Sequence, residues 1–327
     1  MGQFRRRQIL IASGVLLAIP GVALSQSRTY RLAFLGVGSA QVSLPYQKVF
    51  FNGLAALGYH EGRNLVVDRR LAGGNLDRLP ALANELVVLK PDLIVTMTTP
   101  ATLATLKATR TIPIVFVGVG DPVGTGIVES LARPNRNATG TSANNRELHA
   151  KQLQLLKEML PGTVRVAVLL NPLNPVELQY AATLKAEAPG LGLSLQLLEI
   201  ESEAGLSNAL KSIEVARPDV LYIMQSVFAL THRARIMEFA NRTKLPVVSG
   251  GGDFPEGGGL MSYHSNANET FRLAATQVAK ILEGAKPADL PVEQASVFEL
   301  VVNLKTAKTL GITIPQSILL RADRVIE

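Results

Sequence analysis

The 327-residue chain is 47% hydrophobic and 18% charged, a balance that excludes wholesale disorder, and its length favours two domains over one. It has no cysteine, which rules out disulfides, thiolate nucleophiles, cysteine-ligated zinc and iron–sulfur clusters. The formal charge is +7; residues 1–25 hold three arginines and no acid, so 30 basic against 26 acidic residues remain after them, or +4. These are interspersed rather than gathered in a stripe, and no nucleic-acid partner is expected.

Residues 1–25 read as a secretory signal peptide. Arg5, Arg6 and Arg7 give a basic start, Ile9 to Leu24 an apolar stretch, and Ala23-Leu24-Ser25 a small-x-small cleavage pattern before Gln26. The stretch is short for a membrane span, and without cysteine there is no bacterial lipid anchor. Arg6-Arg7 leaves general and twin-arginine export both open. A soluble periplasmic protein is expected, acting as a monomer.

After Ser27 the chain alternates apolar runs with amphipathic segments. The runs are "RLAFLG", "DLIVTM", "IPIVFVG", "VRVAVLL", "LSLQLLEI", "VLYIM" and "LPVVSG", whose near-continuous hydrophobicity suits parallel strands covered on both faces. Between them, "LDRLPALANELVVL" puts Leu79, Leu82, Leu86 and Leu89 on one helical face, and "ELHAKQLQLLKEML" does so with Leu148, Leu153, Leu156 and Leu160. Repeated strand–helix–strand units imply right-handed crossovers and open α/β sheets. They fall into two groups separated by "RPNRNATGTS", and further connectors follow at "GGGDFPEGGG" and "AKPADLPVEQ". The predicted fold is α/β, with two doubly wound parallel-sheet lobes joined by three crossing segments. One lobe is expected over residues 28–141 plus 256–286, the other over 142–255 plus 287–327.

In open parallel sheets ligands sit beyond the carboxyl ends of the strands. The residues just after the apolar runs are rich in hydroxyls, amides and glycines, and supply the candidate ligand-binding set: Gly38, Ser39, Thr98, Thr99, Asp121, Pro122, Asn171, Asn174, Gln225, Ser226, Asp253 and Phe254. Such groups fix a small polar or zwitterionic molecule, an Asp pairing an ammonium and helix N-termini taking a carboxylate. Asp121 before Pro122 reads equally as the N-cap of a helix near Val123.

The glycines of "VFVGVGDPVGTG" suggest a phosphate cradle, but neither this stretch nor "GVGSAQ" completes G-x-G-x-x-G or ends as a P-loop, and Asp121 would repel phosphate. His60, His149, His232 and His264 are scattered, and solvated or capping roles are expected of His60, His149 and His232. No G-x-S-x-G elbow occurs. No enzyme, cofactor or metal is predicted.

The segments "LAALGYHEGRNLVVD", "TIPIVFVGVGDPVGTGIVESLARPNRNATG", "THRARIMEFA", "GGLMSY" and "GAKPADLPVEQASVFELVVNLKTAKTLGITIP" resemble the ABC-transporter substrate-binding protein family that includes tryptophan- and tyrosine-binding members. The resemblance runs from about Arg31 to Glu327. It implies a type I periplasmic-binding-protein fold, a small-molecule solute caught between two lobes, and an ABC permease of the inner membrane as partner. On the matching "GDPVG" and "NPxNP" pieces it points to Asp121, Asn171 and Asn174, whereas Gln225-Ser226-Val227-Phe228 departs from the family pattern. The function this implies is the exported solute-binding subunit of an importer, for an amino acid or related organic acid. A periplasmic ligand-sensing subunit for a receptor or kinase would share fold and cleft. A periplasmic α/β enzyme would need Asp121, Asp253 or Glu256 as its base.

Overall fold

The computed structural model describes residues 28–144 and 146–327, so the predicted signal peptide lies outside the described residues. The chain starts with β1 (Tyr30–Gly36), α1 (Ala40–Ala56), β2 (Leu65–Leu71), α2 (Leu79–Val88), β3 (Leu93–Met97), α3 (Thr98–Ala108), β4 (Ile114–Gly120) and β5 (Ala138–Asn144). A second run follows: α4 (Arg146–Met159), β6 (Arg165–Leu170), α5 (Pro175–Glu187), β7 (Ser194–Glu199), α6 (Glu203–Ala216) and β8 (Val220–Ile223). It continues through α7 (Val227–Thr231), α8 (Arg233–Thr243), β9 (Val247–Ser249), α9 (Asp253–Glu256) and β10 (Met261–Ser265). The chain ends with α10 (Ala267–Leu282), β11 (Glu293–Gln294), β12 (Phe298–Asn303), α11 (Leu304–Leu310), α12 (Gln316–Leu319) and β13 (Arg324–Ile326).

Among the described residues the strands form two sheets, in the orders β11-β5-β4-β3-β1-β2 and β13-β12-β10-β9-β8-β6-β7. The first is parallel throughout, and the second is parallel except where β10 meets β12. This is the two-lobed, doubly wound α/β architecture expected. Each sheet reverses its winding once in its middle, beside β1 and β3 in one lobe and β6 and β8 in the other. Such reversals splay the helices apart and open a crevice at the strands' carboxyl ends.

The apolar runs are buried as two-faced strands require. Leu32 and Phe34 pack with Phe50, Leu54 and Phe271 on one face of the first sheet, while Ala33 and Leu35 meet Leu79, Leu82 and Leu86 on the other. In the second lobe Val166, Val168 and Tyr222 join Leu153, Leu156 and Leu184, and Ala167, Leu169 and Leu221 face Leu206, Ile213 and Ile236.

The boundaries differ from those expected. "RPNRNATGTS" is not all connector: its second half enters β5, which pairs with β4. Gly140 makes that pairing possible, since a Cβ there would lie 1.9 Å from the Phe116 carbonyl oxygen. β10 belongs to the second sheet because it follows α9 back alongside β9, and only then does α10 cross to pack on α1, β4 and β5. β11 adds to the first sheet beside β5 before the chain crosses again to β12. The three crossings thus fall after β5, after β10 and after β11, rather than at 142, 256 and 287. No helix among the described residues is long and apolar enough to cross a membrane.

Candidate functional site

A cavity of about 350 Å³ lies between the lobes. The first lobe contributes Val37 and Gly38 after β1, Met97 to Pro100 after β3, and Gly118 and Gly120 of β4. The second contributes Asn171 and Asn174 after β6, Gln225 and Ser226 after β8, and Gly251 to Phe254 after β9. Tyr46, Tyr180, Phe228, Phe254 and Phe271 give it aromatic walls.

Of the twelve residues predicted for the site, Gly38, Thr98, Thr99, Asn171, Asn174, Gln225, Ser226, Asp253 and Phe254 line this cavity; Ser39, Asp121 and Pro122 do not. Asp121 is turned to its own loop: Oδ1 accepts from the Gly124 amide at 2.9 Å, and the backbone sits at φ 36°. It caps a turn, where the sequence points to a helix near Val123: among the described residues no helix lies between β4 and β5. Ser39 precedes α1, its carbonyl taking the Ser43 amide at 2.9 Å, and it is Ser43 that reaches the wall.

The two asparagines of "NPLNP" shape the rim of the second lobe. Asn171 Oδ1 accepts from the Leu173 amide at 3.0 Å, closing the turn that launches α5. Its own amide donates to Glu177 Oε2 at 2.7 Å, and Asn174 Nδ2 donates to Glu177 Oε1 at 3.1 Å. Glu177 is 3% exposed, and burial pushes its carboxyl up to about 8, against the opposing hydrogen bonds from Asn171, Asn174 and Ser226. Sequence reasoning passed over Glu177, although it lies three residues before Tyr180 and seven before Leu184, on the buried stripe of α5.

His149, expected to be solvated or capping, is 2% exposed and lines the cavity. Its ring lies 4.1 Å from that of Tyr180, centroid to centroid, and burial holds its pKa down at about 4, so it is a neutral imidazole. Helical spacing was the available signal, because positions 149, 153 and 156 share one face of α4. His264 is also buried in the wall, with Nε2 3.5 Å from Glu299.

Tyr46 of α1 reaches across the cleft and donates to Asp253 Oδ2 at 2.5 Å. Burial raises the phenol well above its ordinary range, and the facing Asp253 carboxylate adds to the shift. Elsewhere on the wall Arg324 is held by Glu256 at 2.7 Å. On the first-lobe side Thr99 Oγ1 accepts from the Gly120 amide at 3.3 Å, fixing the end of β4 to the start of α3. Thr98 has a left-handed backbone, φ 71°, and a buried hydroxyl without a partner. A non-glycine residue held there at the first turn of a helix is strain concentrated at a site.

The arrangement offers helix N-termini, hydroxyls, the buried Glu177 carboxyl, the half-buried Asp253 and aromatic faces to one small molecule between the lobes. Residues 44–326 match the family model described as ABC transporter substrate binding protein. The tyrosine-binding protein of Clostridioides difficile (strain R20291) is 27% identical over 264 residues, covering 81% of this chain and 76% of that protein. A conserved domain protein from Vibrio cholerae O1 biovar El Tor superposes with a TM-score of 0.86 at 32% identity, over 91% of this chain and 100% of that one. An ABC domain from Streptococcus pneumoniae in complex with L-Trp superposes with a TM-score of 0.85 at 26% identity, over 91% and 100% of the two chains.

Proposed function

We propose that this chain, which belongs to the ABC transporter substrate binding protein family, is the exported solute-binding subunit of an importer, and that its interlobe cavity takes one amino acid with an aromatic or other apolar side chain. The observation that carries this reading is the cavity between the lobes at the carboxyl ends of both sheets, lined by aromatic side chains and by polar groups of both lobes. The named ligands of the Clostridioides and Streptococcus relatives, tyrosine and L-Trp, support the same class.

The ligand's carboxylate is directed to the N-terminal turn of α3, where the Thr98 hydroxyl has no partner and the helix presents its positive end. Its apolar portion lies among Met97, Tyr180, Phe228 and Phe254. A molecule held by groups of both lobes stabilises the state in which they meet, so recognition and closure are one step. The inner-membrane permease reads that closed state and receives the solute. Catalysis forms no part of this role.

Thermal-shift and calorimetric titration of the purified protein with the L-amino acids and a set of small organic acids tests the reading. One ligand per chain from the aromatic or large apolar amino acids is expected. Binding confined to organic acids, or silence across both sets, overturns it.

A further inference from the structure

Three hydrogen-bond acceptors of the second lobe lie on the wall of the cavity, in Glu177, Asn174 and His149. The first is Glu177, whose partners, the Asn171 amide, the Asn174 side-chain amide and the Ser226 hydroxyl, can all donate. No cation of the described residues pairs with it: among the ion pairs they form, none includes Glu177. The second is Asn174 Oδ1, buried and unpartnered, its orientation set by the bond its Nδ2 gives to Glu177.

The third is His149 Nε2, also buried and unpartnered. Its protonation follows from the chain of bonds behind it. Gln152 Nε2 donates to the Tyr263 carbonyl at 2.6 Å, which leaves Gln152 Oε1 as an acceptor, and the Tyr222 hydroxyl donates to it. His149 is also hydrogen-bonded to Gln152, whose Oε1 can only accept, so with the Tyr222 proton committed the imidazole proton belongs on Nδ1, 3.4 Å from the Tyr222 oxygen. Nε2 therefore presents a lone pair. The His149 ring packs at a tilt against Tyr180, which lies one turn along α5 from Glu177, and all three acceptor residues line the same cavity.

We propose that these acceptors form an ammonium seat: the ligand's primary ammonium donates to Glu177, Asn174 Oδ1 and His149 Nε2. Once Glu177 is ionised, three acceptors match the three N–H bonds of an ammonium, and the carboxylate among them repels a second carboxylate. This rests on the amino-acid reading and fixes the ligand's direction, ammonium on the second lobe and carboxylate on the first. The titratable group that faces Glu177 from β8 is Tyr222, whose phenol burial and the Glu177 charge hold well above its ordinary range, and His149 of α4, on the same wall, is a neutral imidazole. With the carboxyl pushed up to about 8 by burial, the empty seat holds a proton. An arriving ammonium brings its own charge, Glu177 gives its proton to the buffer, and a carboxylate–ammonium pair remains.

The test is calorimetry at pH 7 with L-tyrosine and L-tryptophan against 3-(4-hydroxyphenyl)propanoate and indole-3-propanoate, which lack the amine, in phosphate and in Tris. The des-amino acids should bind about 100-fold more weakly, since they leave buried acceptors unpaired. The enthalpy for the amino acids should differ between the buffers, reporting up to about one proton released per ligand. Glu177→Gln should weaken amino-acid binding by about 30-fold and erase the buffer difference; the buffer comparison on the unaltered protein needs no variant to fold. Amino acids that bind no better than their des-amino partners, or without proton release, overturn the seat and leave the amino-acid reading standing. Failure of every amino acid to bind overturns both.

Discussion

The hydroxyl of Tyr46 and the carboxylate of Asp253 meet at 2.5 Å, although the first belongs to α1 of one lobe and the second to α9 of the other. Each is braced within its own lobe. The Tyr46 ring stacks on Phe271 with centroids 5.6 Å apart, and the Asp253 carbonyl accepts from Arg233 at 2.7 Å. The bond exists only while the lobes touch, so it opposes opening. Tyr46→Phe keeps the ring and its stacking and removes the donor. A hydrogen bond to a charged group contributes about 1.5–3 kcal/mol. Surface plasmon resonance should show ligand dissociation faster by about tenfold or more, with association little changed. An unchanged off-rate would remove this pair from any role in holding the cleft shut.

Gly120 separates closure from stability. A Cβ there would lie 2.5 Å from Val176 Cγ1 and 2.9 Å from the Tyr180 hydroxyl, both on α5 of the opposite lobe. Gly120→Ala therefore obstructs closing, yet the clash vanishes when the lobes part. Ligand affinity should fall by about tenfold or more, since overpacking a tight contact costs about 1–3 kcal/mol. The ligand-free melting temperature should stay near that of the unaltered protein. Gly140→Ala should do the reverse, because its clash with Phe116 is internal to the first sheet and no hinge relieves it. Calorimetry and melting curves on the two variants test this contrast; equal loss of stability in both would contradict it.

Much of this was legible in the sequence, for definable reasons. Strands buried on both faces announce themselves as apolar runs, and ligands of open sheets sit at strand ends, so loops such as Thr98–Thr99 and Gln225–Ser226 could be named. β5 escaped because "ATGTSAN" pairs through small residues and a glycine, with no apolar run to mark it. β2, "LVVDRRL", escaped because an edge strand carries Asp68, Arg69 and Arg70 without penalty. His149 and Glu177 escaped because polar residues on a buried helical stripe are read as exceptions to it.

Asp121 is the instructive opposite, singled out by its glycine-rich surroundings and placed by the structure outside the cavity, capping Gly124. Asp121→Asn retains an oxygen to accept from the Gly124 amide, so ligand affinity should stay within about twofold in titration calorimetry, as expected of a surface change away from a site. A loss comparable to that from Glu177→Gln would return Asp121 to the binding machinery.

Ligand-free stability should fall as pH rises from 6.5 to 8. The folded protein keeps the Glu177 proton to about 8, while an unfolded glutamate releases it near 4.5. Between those values the folded state binds more protons, and stability declines with pH. His149 acts oppositely: held at about 4 when folded against 6.5 unfolded, it makes stability rise with pH between them. The two effects oppose each other below 6.5, and above it Glu177 acts without that offset. Melting temperatures across pH 6.5–8 should decline in the unaltered protein and flatten in Glu177→Gln. A flat profile in the unaltered protein would mean that the carboxyl is already ionised without ligand.

Thr98 sets stability against binding at a single position. Its φ of 71° places a branched side chain in the left-handed region, and its hydroxyl is buried without a partner. Each is unfavourable in the empty protein, the backbone alone by about 1–3 kcal/mol. Glycine adopts this φ without a Cβ penalty and leaves no hydroxyl to satisfy, although its freer unfolded chain offsets about 0.4–1 kcal/mol. Thr98→Gly should raise the ligand-free melting temperature by a few degrees. It should also weaken amino-acid binding by about tenfold, because the carboxylate loses a charge-assisted hydrogen bond. Denaturation and calorimetry on one preparation read both quantities. Thr98→Ser supplies the control, retaining the hydroxyl and hence the affinity, with little of the stability gain. If Thr98→Gly bound as tightly as the unaltered protein, the strained hydroxyl would be no part of the carboxylate site, and α3 would hold its ligand through backbone amides alone.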